Sequence, residues 1–202
     1  MVNRVSSWIE FPVLSETARD ALVSLFTDVP KTENGKDNFH YVIMKVVGVS
    51  DPDLFDDKKY FDENWCEVEE FNFAEGDDTI SLTSSWAAPK TALHELAMFI
   101  GKIDPNVIMT LNYEDENSPA SFFGWATYLA GGLDEHEEIE EDDYYELACE
   151  FDPAVKKMKN GSAKYLAYME ENTADILSTY VNRKLQFEIN WNKENNCGRD
   201  YE

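Results

Sequence analysis

Hydrophobic residues along this chain recur with two spacings, and the changes from one spacing to the other mark out its elements. Residues 4–11 read as a short strand, after which Ser15 is placed to cap a helix. That helix carries Ala18, Ala21, Leu22, Leu25 and Phe26 three and four positions apart, the repeat of one helical face. Residues 28–36 hold Pro30, Asn34 and Gly35 and read as a loop. The run FHYVIMKVV at residues 39–47 is dense in β-branched and aromatic side chains, which predicts a buried strand. The first unit is therefore expected to be β-α-β.

A polar, acidic connection at residues 48–64 separates it from a second unit. Residues 65–73 predict a strand, turned at Glu75-Gly76-Asp77-Asp78 into residues 79–85, where Ile80 and Leu82 alternate with Ser81 and Thr83. Pro89 suits the first turn of a helix whose apolar stripe is Ala92, Leu93, Leu96, Ala97 and Ile100. Val107, Met109, Leu111 and Tyr113 then share one face of a strand. Residues 121–130 predict another, closed by Gly131-Gly132. Two β-α-β units in series point to an α+β fold, a ferredoxin-like β-α-β-β-α-β sandwich with strands added at its sides. On this reading residues 1–132 form the sheet domain, with the acidic insertion at 48–64. Residues 133–202 form an acidic segment and a C-terminal helical extension, with a long helix at 162–187 acting as a lid.

Charge changes the picture more than any motif does. The chain carries 41 carboxylates against 17 Lys and Arg, a net of −24. Residues 134–150 hold ten acids and no Lys or Arg, and residues 51–78 hold twelve with only Lys58 and Lys59 against them. Such a surface repels nucleic acid and anionic membrane and attracts basic proteins or cations. The 12 Phe, 10 Tyr and 5 Trp exclude a wholly disordered acidic chain. Cys66, Cys149 and Cys197 form no pair at metal or redox spacing, which suits reduced thiols in a cytoplasm. No run approaches the length of a membrane span.

Residues 64–132 resemble a known family. Trp65, the segment SSWAAPKTALHEL, the pair Tyr113-Glu114 and the segment SFFGWATYLAGG resemble the ferredoxin-like domain of YubB-like proteins, which phages and conjugative plasmids encode. The matching positions are Trp86, Pro89, Tyr113, Glu114, Phe122, Gly124 and Gly132. Cys66-Glu67-Val68-Glu69-Glu70-Phe71 replaces the Gly and second Trp of the pattern, and Ile100-Gly101-Lys102-Ile103 replaces its Phe-Pro. The resemblance implies a ferredoxin-like fold and a mobile-element origin, and no catalytic residues.

Candidate chemistry is sparse. His94-Glu95-Leu96-Ala97-Met98 has Met where a zincin needs its second His, and there is no dinucleotide, phosphate-loop or hydrolase signature. The stretch from Asp51 to Asp62 echoes a calcium loop but lacks the Gly at its sixth place. No metal or cofactor is therefore expected. Trp86, Phe122, Phe123 and Trp125 are expected as core and rim residues of the sheet rather than a stacking platform.

The acid run remains. Read as a helix, it puts Glu135, Glu138 and Asp142 on one face, and Glu137, Glu140, Glu141 and Asp143 complete a candidate partner-binding surface. Asp51, Asp53, Asp56 and Asp57 form a second acidic patch. A fixed row of carboxylates imitates the phosphates of a duplex, while an unfixed one is a passive solvated face.

Three functional readings follow. The first is a non-enzymatic phage or mobile-element protein of the host cytoplasm. It would bind and inhibit a basic nucleic-acid-handling host protein such as a nuclease, toxin or transcription component. The second is a small hydrolase or transferase with a carboxylate-dependent site. The third is an accessory protein with no competitive role.

Overall fold

The computed structural model describes residues 3–62, 64–74, 77–116, 122–140 and 143–196. Its elements are β1 (Arg4–Val13), α1 (Glu16–Phe26), β2 (Asp37–Asn38), α2 (Phe39–Val47), α3 (Asp57–Phe61), β3 (Cys66–Ala74) and β4 (Asp77–Ser85). There follow α4 (Lys90–Gly101), β5 (Ile108–Asp115), β6 (Phe122–Leu129), β7 (Gly132–Glu140), α5 (Tyr144–Phe151) and α6 (Ala163–Asn196). The fold is mixed α+β: a seven-stranded antiparallel sheet in the order β2-β3-β4-β1-β5-β6-β7, ending in a long C-terminal helix.

Each sheet face has its own core. Val5, Ile9 and Phe11 on β1 point to the same side as Ile80, Leu82 and Leu111 on the neighbouring strands. There they meet Leu22 and Leu25 of α1, Phe39 and Ile43 of α2, and Leu93 and Leu96 of α4. On the opposite side Phe123 and Trp125 of β6 and Ile139 of β7 pack with α5 and α6. Buried positions on α6 run Tyr165, Met169, Thr173, Ile176, Leu177, Val181, Leu185 and Ile189, a continuous three-and-four stripe along a helix about 50 Å long. The expected lid is thus half of a second core.

Two elements differ from the sequence expectation. Residues 39–47 form helix α2, not a strand. The Asn38 side chain accepts the His40 N–H at 3.0 Å, which caps the start, and Gly48 closes the end in the left-handed region. Lys45 then reaches the exposed carbonyls at the end of α1, donating to Leu25 at 3.0 Å and Thr27 at 2.6 Å. Buried Phe39, Val42 and Ile43 have helical spacing, but the polar residues that would reveal it are too few.

The acid run is the second case. Residues 132–140 are strand β7, paired with β6 from Gly132 to Glu140, so the expected division after Gly132 falls inside a hairpin. Its turn has Ala130 at φ 48° and Gly131 at φ 86°, the two positive angles of a tight hairpin whose twist matches its strands. A Cβ on Gly131 would lie 2.7 Å from the Ala97 carbonyl oxygen, so this turn seats against α4 only with Gly there.

Candidate functional site

Strand alternation divides the acid run between the two faces of the sheet. Glu135 and Glu137 lie on the α6 side with buried Ile139. His136, Glu138 and Glu140 lie on the α4 side. The helical face of Glu135, Glu138 and Asp142 does not form, because a strand puts Glu135 and Glu138 on opposite faces. Glu141 and Asp142 lie outside the described residues. Asp143 is exposed just before α5.

Most of the carboxylates on β7 are held in place. Glu137 accepts from the Trp125 indole N–H at 3.2 Å and the Tyr180 hydroxyl at 3.1 Å. Asp134 accepts from Asn192 at 3.3 Å and Thr127 at 3.4 Å. Glu138 accepts from Lys90 at 2.8 Å and the Tyr113 hydroxyl at 2.6 Å. This last group depends on one glycine. Tyr113, Gly124 and Glu138 are cross-strand neighbours on β5, β6 and β7, and the tyrosine ring lies across the bare Gly124 backbone to reach the glutamate. A Cβ at Gly124 would sit 2.0 Å from Tyr113 Cζ.

The electrostatics follow from these contacts. Burial pushes the Glu138 carboxyl up, but the hydrogen bonds from Lys90 and Tyr113 outweigh it and hold the group below its ordinary range. Glu138 is therefore a charge anchor and acceptor, not a proton donor. Burial, then the bond to Glu138, drive the Tyr113 phenol far up, so it keeps its proton. The same wall bounds a cavity of about 330 Å³ between α4 and the β6–β7 hairpin, which His94, Tyr128, Leu133 and His136 also line. Burial pushes the Tyr128 phenol up to about 12. Among the described residues no group of three His, Cys, Asp or Glu is placed to hold a metal ion.

On the other face Glu188 of α6 is buried beside Asp134 and Glu135. Burial raises its carboxyl first, then Glu135 and Asp134 raise it further, against a weaker pull from Lys184. A carboxyl raised on folding contributes stability that is complete below its unfolded pKa and is lost as pH rises through the folded value. Glu138 has the opposite sign: its contribution is present above the unfolded value and is lost as pH falls through the lowered folded one. The melting temperature should therefore rise from pH 8 towards pH 5 and fall again in stronger acid. Glu188→Gln should flatten the rise, and calorimetry across that range would show it. A melting temperature that falls steadily from pH 8 would contradict this balance.

The second acidic patch is elsewhere in the fold. Asp51 caps the single turn Pro52–Leu54 by accepting from the Asp53 N–H at 3.0 Å, and Asp57 pairs with His40. Asp51, Asp53 and Asp56 are exposed between α2 and α3, in the helical layer that covers the sheet and on no strand. The structure does not merge them with β7 into one row.

Sequence reasoning missed the Lys90–Tyr113–Glu138 cluster, whose members stand 23 and 25 positions apart. The one local signal was Gly124 inside an aromatic strand, since an isolated strand glycine marks a close approach. Among the described residues no helix is long and apolar enough to cross a membrane. No family model, no curated protein and no solved structure matches this chain.

Proposed function

We propose that this is a non-enzymatic protein of phage or mobile-element origin that binds and inhibits a basic, nucleic-acid-handling protein in the host cytoplasm. The observation that carries this reading is the conversion of the acid run into an edge strand. Strand alternation puts Glu135 and Glu137 on one face and Glu138 and Glu140 on the other. Carboxylates on one face therefore recur about every 6.6 Å, close to every second phosphate of one DNA strand at about 3.4 Å of axis each. Asp134, Glu135, Glu137, Glu138 and Glu140 occupy five of seven successive positions on β7. As a helix the same residues would be compressed to about 1.5 Å per residue. Hydrogen bonds hold Asp134, Glu137 and Glu138 before any partner arrives, which lowers the ordering cost of binding.

The frame supports the resemblance in its finer form. Taken as one β-α-β-β-α-β unit, β1-α1-β3-β4-α4-β5 has its strands side by side as β3-β4-β1-β5, the order of a ferredoxin-like sheet. On this reading the segment from β2 to α3 is an insertion, and β6 and β7 are added strands.

The test uses charge removal that spares the architecture. Asp134, Glu135, Glu137 and Glu138 hold or act on neighbouring side chains, so the informative variant replaces Glu140, Glu141, Asp142 and Asp143 by Gln or Asn. The wild-type protein should not bind DNA or RNA. It should capture a basic protein from a bacterial lysate and release that protein from DNA, less well as salt screens the charges. The neutralised variant should melt normally and fail to release it. Undiminished release by the variant would sink the mimicry reading of β7.

A further inference from the structure

On the α6 side of the sheet, register lays out rows that run from open surface to buried core. One row is Ser6, Glu114, Phe123 and Ile139; the next is Ser81, Trp8, Asn112, Trp125 and Glu137. Helix α6 packs over the β5–β6 end of these rows and leaves the β1 side uncovered. Along its flank lies a cavity of about 350 Å³, lined by Trp8, Glu10, Asn112 and Glu114 from the sheet and Ser178 and Asn182 from the helix.

Two side chains there are out of balance with their surroundings. Trp8 is 38% exposed, and the part of its ring left open borders this cavity. Glu114 is half-buried without a hydrogen bond or ion pair among the described residues. Burial pushes its carboxyl up, Glu116 pushes it further, and among the described residues no cation brings it down. A carboxylate partly withdrawn from water without a counter-charge is costly, and a cationic ligand relieves that cost.

We infer that this cavity is a receptor for an arginine side chain of the basic partner, with the guanidinium on the Trp8 ring and paired to Glu114. The inference rests on the proposed function for the partner's basic character, but uses a different surface from β7. A planar guanidinium is weakly hydrated, stacks on tryptophan and offers five N–H donors in a fixed fork. Glu114 takes part of that fork, and Asn112, Asn182, Ser178 and Glu10 supply acceptors for the remaining donors. A lysine ammonium is compact and strongly hydrated, and it gains less from the ring and the planar arrangement.

The test titrates the full chain with N-acetyl-arginine amide and, separately, N-acetyl-lysine amide, so that only the side chain is charged. Binding is followed by calorimetry and by the Trp8 indole N–H resonance. Arginine should bind saturably, about fivefold or more tighter than lysine, with the Trp8 resonance moving. Glu114→Gln, which keeps the shape, should weaken it by about tenfold, as expected for loss of a charge-assisted pair. The variant neutralised at Glu140, Glu141, Asp142 and Asp143 should bind arginine within about twofold of wild type, since neither Glu140 nor Asp143 lines the cavity. Equal affinity for lysine, no shift at Trp8, full binding by Glu114→Gln, or loss in the neutralised variant would each overturn the receptor. The two readings fail separately. Arginine binding without release of a partner from DNA defeats the inhibitor reading alone, and partner release without arginine binding defeats the receptor alone.

Discussion

Gly124→Ala should destabilise this protein by about 3–5 kcal/mol, although alanine is normally the better residue in a strand by roughly 0.5–1 kcal/mol. The new methyl would lie 2.0 Å from Cζ and 2.2 Å from Oη of Tyr113, far inside van der Waals contact. The ring cannot yield cheaply. It is 2% exposed, and its hydroxyl donates to Glu138 at 2.6 Å. Overpacking costs about 1–3 kcal/mol, and losing a hydrogen bond to a charged group adds about 1.5–3 kcal/mol. Urea unfolding measures the total. In a Tyr113→Ala background the same change should cost under about 1 kcal/mol, because the two residues act as one unit. An equal cost in both backgrounds would remove the tyrosine ring as the cause.

That dependence on a cross-strand neighbour also explains which parts of the fold were legible. Helices α1 and α4 were readable because each buries one stripe and leaves polar residues between: Ala18, Leu22 and Leu25 in one, Leu93, Leu96 and Ile100 in the other. Strands β3 to β6 were readable because turns and alternation agree there. Residues 39–47 were misread because composition and periodicity pointed different ways. β-branched residues favour strands only where they fit a pleated surface, and the cap at Asn38 and the Lys45 contacts decide for helix here. In residues 132–140 the carboxylates conceal the strand. Only Ile139 is fully buried, so no hydrophobic alternation exists to be read, and pairing with β6 overrides a local preference for helix.

The candidate site was legible as composition and not as geometry. Clustering of acids is visible in the chain, but which of them are free is a tertiary fact. Glu138 is tied to Lys90, 48 positions away, and Glu137 to Tyr180, 43 positions away. Both would have been removed in a neutralisation designed from sequence alone, with structural damage mistaken for lost recognition. The Trp8–Glu114 cavity had no sequence signal at all, since β1 and β5 become neighbours only in the folded sheet and α6 supplies the remaining wall.

The second large effect concerns the other core. Trp125→Ala should cost about 3–5 kcal/mol, the range for removing a large aromatic side chain from a close-packed interior. Trp125 is 1% exposed on the α6 face of β6, within the cluster that includes Phe123, Ile139, Leu177 and Val181. Its indole N–H also donates to Glu137, whose remaining hydrogen-bond donor among the described residues is the Tyr180 hydroxyl. Trp125→Phe retains much of the ring but loses the donor, so it should cost less, about 1–2 kcal/mol beyond any packing loss. The damage should also be local in character. Amide exchange in α6 should speed up by a larger factor than in α4, because α4 draws its burial from the opposite sheet face, around Leu93 and Leu96. A cost below about 1.5 kcal/mol for Trp125→Ala, or loosening of α4 as large as that of α6, would mean that α6 is not seated on β6 as described. The wall of the arginine cavity would go with it, since Ser178 and Asn182 reach the sheet only through that packing.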